Sequence, residues 1–317
     1  MKSKKGLFLC AIGAIALVFA SACLIAGRAG RTRSYFGAFR ASYDRVPLSG
    51  RRVLALADFM LNPVFELLGP FEPVWVQVQP GIKMQLDPYD FVSRKLLETG
   101  EWEPESVRAV ADHLSPSGTF IDVGAHIGYY SLKAATLVGP SGHVVSVEPN
   151  PQTLPKLRSN IAANVETNTA RMVSVWPVAC AQSESTLQFF AAPESNTGES
   201  SLSKENASQE GSAPVPYEVR ARPLDAIVKE AKLDRVDVIK IDVEGAELQV
   251  LKGAAQTLDD YRPVIVIELI PNQLQAMGTS VEEVTKFLAS HGYTMDRQMG
   301  NANYEFVPPK TASARVQ

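Results

Sequence analysis

An apolar run, Phe120-Ile-Asp-Val123, opens into Gly124-Ala-His-Ile-Gly128-Tyr-Tyr-Ser131, and a second apolar run, Val144-Val-Ser-Val147, ends in Glu148-Pro149-Asn150. The order reads as strand, glycine-rich turn, helix, strand and terminal acid, and it constrains the fold more than any other stretch. Glycines at such a turn let the backbone approach a ligand, and an acid about 20 residues further on accepts the hydroxyls of a ribose. The glycine spacing then separates ligand classes. A dinucleotide site requires Gly-x-Gly-x-x-Gly, so that a helix N-terminus meets a pyrophosphate. Here the pattern from Asp122 to Gly128 is Asp-x-Gly-x-x-x-Gly, with an acid where a diphosphate would be repelled. An acid there suits a cationic nucleoside. S-adenosylmethionine, which carries a sulfonium and an ammonium, fits that description, and the expectation is a methyltransferase.

Alternating elements follow the same plan. A hairpin is predicted over Val74–Leu86, turning at Pro80-Gly81, with helices over Asp90–Glu98 and Glu105–Leu114. Leu154, Leu157, Ile161 and Val165 recur at helical spacing, and Arg171–Ala179 reads as a third strand. Thr186–Ala192 and Tyr217–Leu224 are strand-like and flank 193–216, whose Ser, Glu, Asn, Gly and Pro content reads as a long mobile loop, a lid or a plain insertion. Then come a helix at Asp225–Ala231, strands at Val236–Ile241 and Pro263–Leu269, one helix at Leu248–Leu258, another at Val281–Ser290, and a β pair near 293–308. Strands alternating with helices predict an α/β fold with a mainly parallel, doubly wound, Rossmann-like sheet.

On that fold, Asp122, Glu148, Asp242 and Glu268 all fall where strands end, at the edge where doubly wound sheets bind ligands. The second informative block is Lys240-Ile-Asp242-Val-Glu244-Gly245-Ala-Glu247. Side chains repeat every two residues along a strand, so Lys240 and Asp242 share a side. Three roles are open to the block: Asp242 or Glu244 takes a substrate proton, one or both hold a divalent metal through oxygen, or Lys240 and Asp242 form an ion pair that caps the next helix. Alignment of donor and acceptor supplies roughly 7–11 kcal/mol, against about 10²–10⁴-fold for a general base, so positioning is expected to dominate. His126 is the histidine of the cofactor loop, either a ligand contact, a base or a packing residue. Tyr129 and Tyr130 are expected to pack the first helix. Cys180 has neither a cysteine partner nor metal-ligand spacing and reads as structural.

The N-terminal region differs in character. Residues 7–26 carry no charge, and twenty helical residues span a bilayer, so a retained single-pass anchor is expected, with a cleaved signal as the alternative. Residues 1–52 carry about +9 and the remainder about −12. Arg28, Arg31, Arg33, Arg40 and Arg45 after the apolar stretch outnumber Lys2, Lys4 and Lys5 before it, which places the body on the cytoplasmic side. An acidic body argues against nucleic acid as a partner. The expected organisation is a basic start at 1–6, the anchor at 7–26, a basic linker with a leading helix at 27–72, and a catalytic domain at 73–310 with its core at 119–290.

These motifs together resemble the FkbM family: Thr99-Gly-Glu-Trp-Glu103, Ile121–Ser131, Val147-Glu-Pro-Asn150, Leu157 with Asn160 and Asn164, Leu224-Asp225, Lys240–Glu247 and Leu251-Lys-Gly-Ala254. The likeness runs over roughly residues 73–290. It implies a class I S-adenosylmethionine-dependent methyltransferase acting on hydroxyl oxygens of sugars and polyketides. It also implies Asp122, Gly124 and Gly128 at the methionine end of the cofactor, Glu148 on its ribose, and Glu103 closing over it. Asn196, Gly198 and Ser201 would then lie beside the active site, with Asp242 and Glu244 facing the acceptor. Two positions depart from the family pattern: His126 stands where Asn is usual, and Ala179–Gln182 lacks the acid often found near the adenine. A lipid-linked saccharide or glycolipid is the expected acceptor. The alternative is a binding or scaffold protein of the same fold without turnover.

Overall fold

The computed structural model describes residues 73–87, 90–164, 172–208, 213–300 and 302–308. The expected anchor at 7–26 and the linker with its leading helix at 27–72 lie outside the described residues. Among the described residues no helix is long and apolar enough to cross a membrane. The chain divides between Trp102 and Glu103 into two compact units. In the first, β1 (Val74–Gln79) and β2 (Ile82–Leu86) pair antiparallel, with Val74 opposite Leu86. Asp90 starts α1 (Phe91–Thr99) by accepting the Ser93 N–H at 2.9 Å.

The second unit begins with α2 (Pro104–His113), β3 (Thr119–Val123), α3 (Tyr129–Val138), β4 (His143–Val147), α4 (Leu154–Ala162) and β5 (Val173–Trp176). After a small three-stranded sheet come α5 (Leu224–Glu230), β9 (Val238–Ile241), α6 (Glu247–Lys252), α7 (Ala255–Tyr261) and β10 (Val264–Glu268). The unit closes with α8 (Pro271–Ala276), α9 (Val281–Ser290), β11 (Thr294–Met299) and β12 (Asn303–Val307). The seven-stranded main sheet has the order β11-β12-β10-β9-β3-β4-β5, parallel from β10 through β5, with β12 antiparallel between β10 and β11. Strand order reverses at β3 and β9, the position where such sheets take ligands.

Alternation along the strands sorts the two faces. Ile121, Val123, Val145, Val147, Ile239, Ile241, Ile265 and Ile267 share one buried cluster with Leu224, Ile227, Leu251, Leu258, Val284 and Leu288 from α5, α6, α7 and α9. Residues of the other parity, Asp122, Ser146 and Lys240, are register partners across β4, β3 and β9. They face α3, whose Ser131 hydroxyl meets both Asp122 Oδ2 and Ser146 Oγ at 2.6 Å. Helices therefore cover both faces, as a continuous apolar strand pattern requires.

Two expectations need correction. The single helix predicted over Leu248–Leu258 is two, α6 and α7, and the break falls at Gly253, a weak helix former that packs against backbone: a Cβ there would lie 2.1 Å from the Ala181 carbonyl oxygen. The third strand predicted over Arg171–Ala179 divides between β5 and β6 (Ala179–Cys180). Arg171 itself lies outside the described residues. β6, β8 (Val215–Arg222) and β7 (Ser185–Ala191) form the separate small sheet in the order β6-β8-β7. Cys180 is buried in it, and burial pushes its thiol up to about 12, which makes it inert packing.

Candidate active site

The turn after β3 explains why the block at 122–128 reads as it does. Gly124 and Ala125 donate their N–H groups to Val147 O at 3.0 Å each, so the chain passes tightly between β4 and β9. Gly124 has φ +88, and a Cβ there would lie 1.7 Å from the Asp242 carbonyl oxygen. His126 also has positive φ, at 49°, and its N–H donates to Glu148 Oε2 at 2.7 Å. The Asn150 N–H donates to the other oxygen of Glu148 at 2.8 Å. Glu148 is 6 % exposed, and burial pushes its carboxyl up to about 7 against the pull of those two N–H groups. Each of its oxygens gives one lone pair to backbone and keeps another for a ribose hydroxyl. Asp122, at the turn, keeps Oδ1 buried and unpartnered. An unmet carboxylate oxygen at a backbone turn with no room for a side chain fits the charged methionine end of S-adenosylmethionine, and Glu148 fits its ribose.

Across β3, on the opposite side from Glu148, lies a second acidic group. One oxygen each of Asp242, Glu244 and Glu268 lie within 4.8 Å of one another. The Lys240 ammonium is 2.7 Å from Asp242 Oδ2 and 4.5 Å from the centre of the Tyr130 ring, a cation–π contact. Burial acts most strongly, to raise Asp242, but the charge and hydrogen bond of this ammonium, with a hydrogen bond from Glu268 and the charge of His126, together hold the carboxyl below its ordinary value. Burial and the neighbouring Asp242 charge push Glu268 up to about 10, and burial with the charges of Asp242, Glu247 and Glu199 raises Glu244 well above its ordinary value. Within the trio Asp242 is therefore the group held toward its ionised form, and Glu244 and Glu268 are held toward their protonated forms.

Several expected residues are engaged otherwise than their roles implied. Glu103 accepts from the Tyr130 hydroxyl at 2.7 Å and from Asn303 Nδ2 at 3.2 Å, so it ties α2, α3 and β12 together. Tyr130 is thereby more than packing. The His126 ring nitrogen Nε2 lies 2.7 Å from Thr197 Oγ1, and Asn150 Nδ2 donates to Ser200 Oγ at 3.1 Å. Gly128, at φ +91, is the N-cap of α3, and Pro149 is half-buried between Glu148 and Asn150.

The loop expected to be mobile is instead tied down where it is described. Glu194–Glu199 forms a 3₁₀ turn, and Ser201 bridges to Phe190 in both directions. The Ser201 hydroxyl and Asn206 Nδ2 both donate to Glu244 O, at 2.7 and 2.8 Å. Asn196 Nδ2 donates to Glu199 Oε1 at 2.7 Å. Residues missed in the sequence reading also meet here. Gln273, on the six-residue helix α8, donates to Glu244 Oε2. Its sequence signal was Pro271 at the first helical position after a strand. Glu268 was read as a strand-end acid, and the fold makes it a neighbour of Asp242 and Glu244.

The buried acids set a pH dependence. Glu247, 2 % exposed, accepts the Gly245 N–H at 3.0 Å, and burial pushes it up to about 7, like Glu148. Below the ordinary carboxylate range each is protonated in both folded and unfolded chains. Between there and pH 7 the folded form keeps the proton that the unfolded form has lost, so stability falls as pH rises through that window, by on the order of 2–3 kcal/mol per carboxyl. The urea midpoint is expected to drop between pH 5 and pH 8. Glu247→Gln, whose amide oxygen still accepts the Gly245 N–H, should flatten that drop. An unchanged slope in the variant would show that Glu247 does not contribute.

A doubly wound sheet with a glycine-tightened turn and a buried acid at its switch point defines a nucleoside-binding α/β domain. The chain belongs to the FkbM methyltransferase family: the methyltransferase FkbM domain matches residues 122–295, more than half of its length, and the cofactor of that family is S-adenosylmethionine. The hexuronic acid methyltransferase AglP of Haloferax volcanii is 26% identical over 207 residues, covering 65% of this chain and 75% of AglP. The AMB antimetabolite synthetase AmbE of Pseudomonas aeruginosa is 27% identical over 210 residues, covering 57% of this chain but only 10% of AmbE. Among solved structures, the methyltransferase FkbM of Methylobacillus flagellatus KT aligns with a TM-score of 0.45 and 17% identity, over 88% of this chain and 60% of that one.

Proposed function

We propose that this protein transfers the methyl group of S-adenosylmethionine to a hydroxyl oxygen of a saccharide or glycolipid acceptor. The observation that carries the reading is the division of acids about Gly124: Glu148 on the β4 side, free to accept a ribose, and Asp242, Glu244 and Glu268 on the β9 and β10 side. When bound, the cofactor supplies an electrophilic methyl carbon. In that transfer Asp242, held toward its ionised form by Lys240, would take the hydroxyl's proton while the methyl carbon exchanges its bond to sulfur for one to oxygen, with S-adenosylhomocysteine as the leaving group. Glu244 and Glu268, both raised by burial, lie beside Asp242 on the acceptor side, where they help to orient the acceptor. Lys240 orients Asp242 and offsets its charge. The hexuronic acid in the name of AglP supports a sugar, and the uncharged stretch at 7–26 supports an acceptor presented at a membrane.

The test is S-adenosylhomocysteine binding by calorimetry, with Glu148→Ala beside the wild type. The substitution removes the ribose acceptor and strands the N–H groups of His126 and Asn150, so affinity should fall at least about 100-fold. Equal affinity in a folded Glu148→Ala protein would remove the reading.

A further inference from the structure

We propose that Glu194–Glu199 is a flap that opens to admit and release the nucleoside cofactor, pinned shut by Thr197 on His126 and hinged at a neck between Ala192 and Ser201. The inference goes beyond the methyl-transfer reading: it rests on the cofactor site at Glu148 and requires nothing of the acceptor. The neck is firm. Ala192 and Ser201 are 2 % and 0 % exposed. The Ser201 N–H donates to Phe190 O at 3.0 Å, and the Phe190 N–H donates back to Ser201 O at 2.8 Å. The Ala192 N–H donates to Ser200 Oγ at 3.0 Å, and the Ser201 hydroxyl donates to Glu244 O at 2.7 Å. Between these points the chain changes character. No residue of Glu194–Glu199 is buried, and its 3₁₀ turn is broken at Asn196, with φ −154. Asn196 Nδ2 donates to Glu199 Oε1 at 2.7 Å, which holds the turn together as one piece. An exposed turn on a buried neck belongs to the part of a fold that opens locally at low cost.

The pin ties this turn to the cofactor loop. Thr197 Oγ1 lies 2.7 Å from His126 Nε2, and the His126 N–H is one of the two that hold Glu148. Asn150, whose N–H holds the other oxygen of Glu148, reaches the neck through Nδ2 on Ser200 Oγ at 3.1 Å. The two residues that fix the ribose acid with their backbones therefore fix the flap and its neck with their side chains. A nucleoside on Glu148 lies beside the turn they hold, and it leaves when the tip lifts. The pin closes the flap over the empty and the filled site alike. Its loss raises the open fraction of both, so entry and exit quicken together and the equilibrium affinity stays.

The experiment measures association and dissociation of S-adenosylhomocysteine by surface plasmon resonance on the full-length protein in detergent, with Thr197→Val beside the wild type. Valine keeps the shape of threonine at this partly exposed position and removes the hydroxyl. Loss of one such bond is expected to raise both rate constants about tenfold and to leave Kd within about threefold of the wild type. A faster dissociation alone, with affinity falling in step, makes Thr197 a ligand contact and overturns the inference. Unchanged rate constants overturn it as well. Amide hydrogen exchange on the wild type tests the hinge without any substitution. Residues 194–199 are expected to exchange at least about tenfold faster than 201–207. Equal exchange in the two segments places no hinge at Ser201 and overturns the inference. In all of these results the cofactor site stands. A wild-type protein that binds no S-adenosylhomocysteine is a different result, because it removes the cofactor site and the flap's role with it.

Discussion

Gly124→Ala is expected to be among the most costly single methyl additions at the described glycines. The new Cβ would sit 1.7 Å from the carbonyl oxygen of Asp242, a backbone atom that cannot rotate away. The turn cannot retreat either, because Gly124 and Ala125 are both hydrogen-bonded to Val147 O and the Asp242 N–H donates to Val123 O at 3.0 Å. The φ of +88° adds the usual penalty for a side chain in left-handed backbone. A loss above about 4 kcal/mol is expected, in the range reserved for overpacking at a strained backbone site. S-adenosylhomocysteine binding should disappear with it, since the clash lies between the two halves of the acid constellation. Gly278→Ala separates the causes. Gly278 has φ +73 but nothing within 4 Å of a built Cβ, so only the conformational penalty, about 1 kcal/mol, applies. Thermal melting of the two variants with and without ligand reads both effects, and equal losses would show that crowding at Gly124 is relieved.

Lys240→Met is the second large effect. Lys240 is buried among acids: Asp242 at 2.7 Å, with Asp122 as its register partner across β3. Removing one member of a buried ion pair strands the other, which typically costs about 3–5 kcal/mol, whereas replacing both members is often nearly neutral. The single variant should therefore melt on the order of 10 °C lower. Lys240→Met combined with Asp242→Asn should recover at least half of that loss, as a double-mutant cycle in urea would measure. If the double variant is no more stable than Lys240→Met, the pair is not what holds this edge together. The ammonium's contact with Tyr130 would then be the term to test, through Tyr130→Leu.

What could be read from the residues followed from local rules. The near-continuous apolar runs at 119–123, 144–147, 238–241 and 264–268 read as strands because both faces of a parallel strand are buried. Asp122, Gly124 and Gly128 could be read as a ligand turn because only glycine tolerates that backbone, and Glu148 could be placed at the end of its strand. Helix α9 could be bounded at Ser280 because a serine cap precedes its apolar period. The break between α6 and α7 could not be found this way. Gly253 is a poor helix residue in any context, but glycine is required there because the backbone of Ala181, 72 residues away in sequence, occupies the space a Cβ would need.

Chain order and hydrophobic period alone determined the α/β class, the strand that carries the cofactor turn and the acid that follows it. Those properties depend on residues within a few positions of one another. Tertiary structure decided how the acids are charged. Asp242 is held toward its ionised form because β9 places Lys240 beside it, and Glu268 toward its protonated form because the neighbouring strand brings it to Asp242 in a partly dry edge. It also turned Glu103 toward Tyr130 and Asn303, and fastened the 193–208 segment to Glu244 and His126. Electrostatic energy depends on separation and burial, and neither is encoded in spacing along the chain.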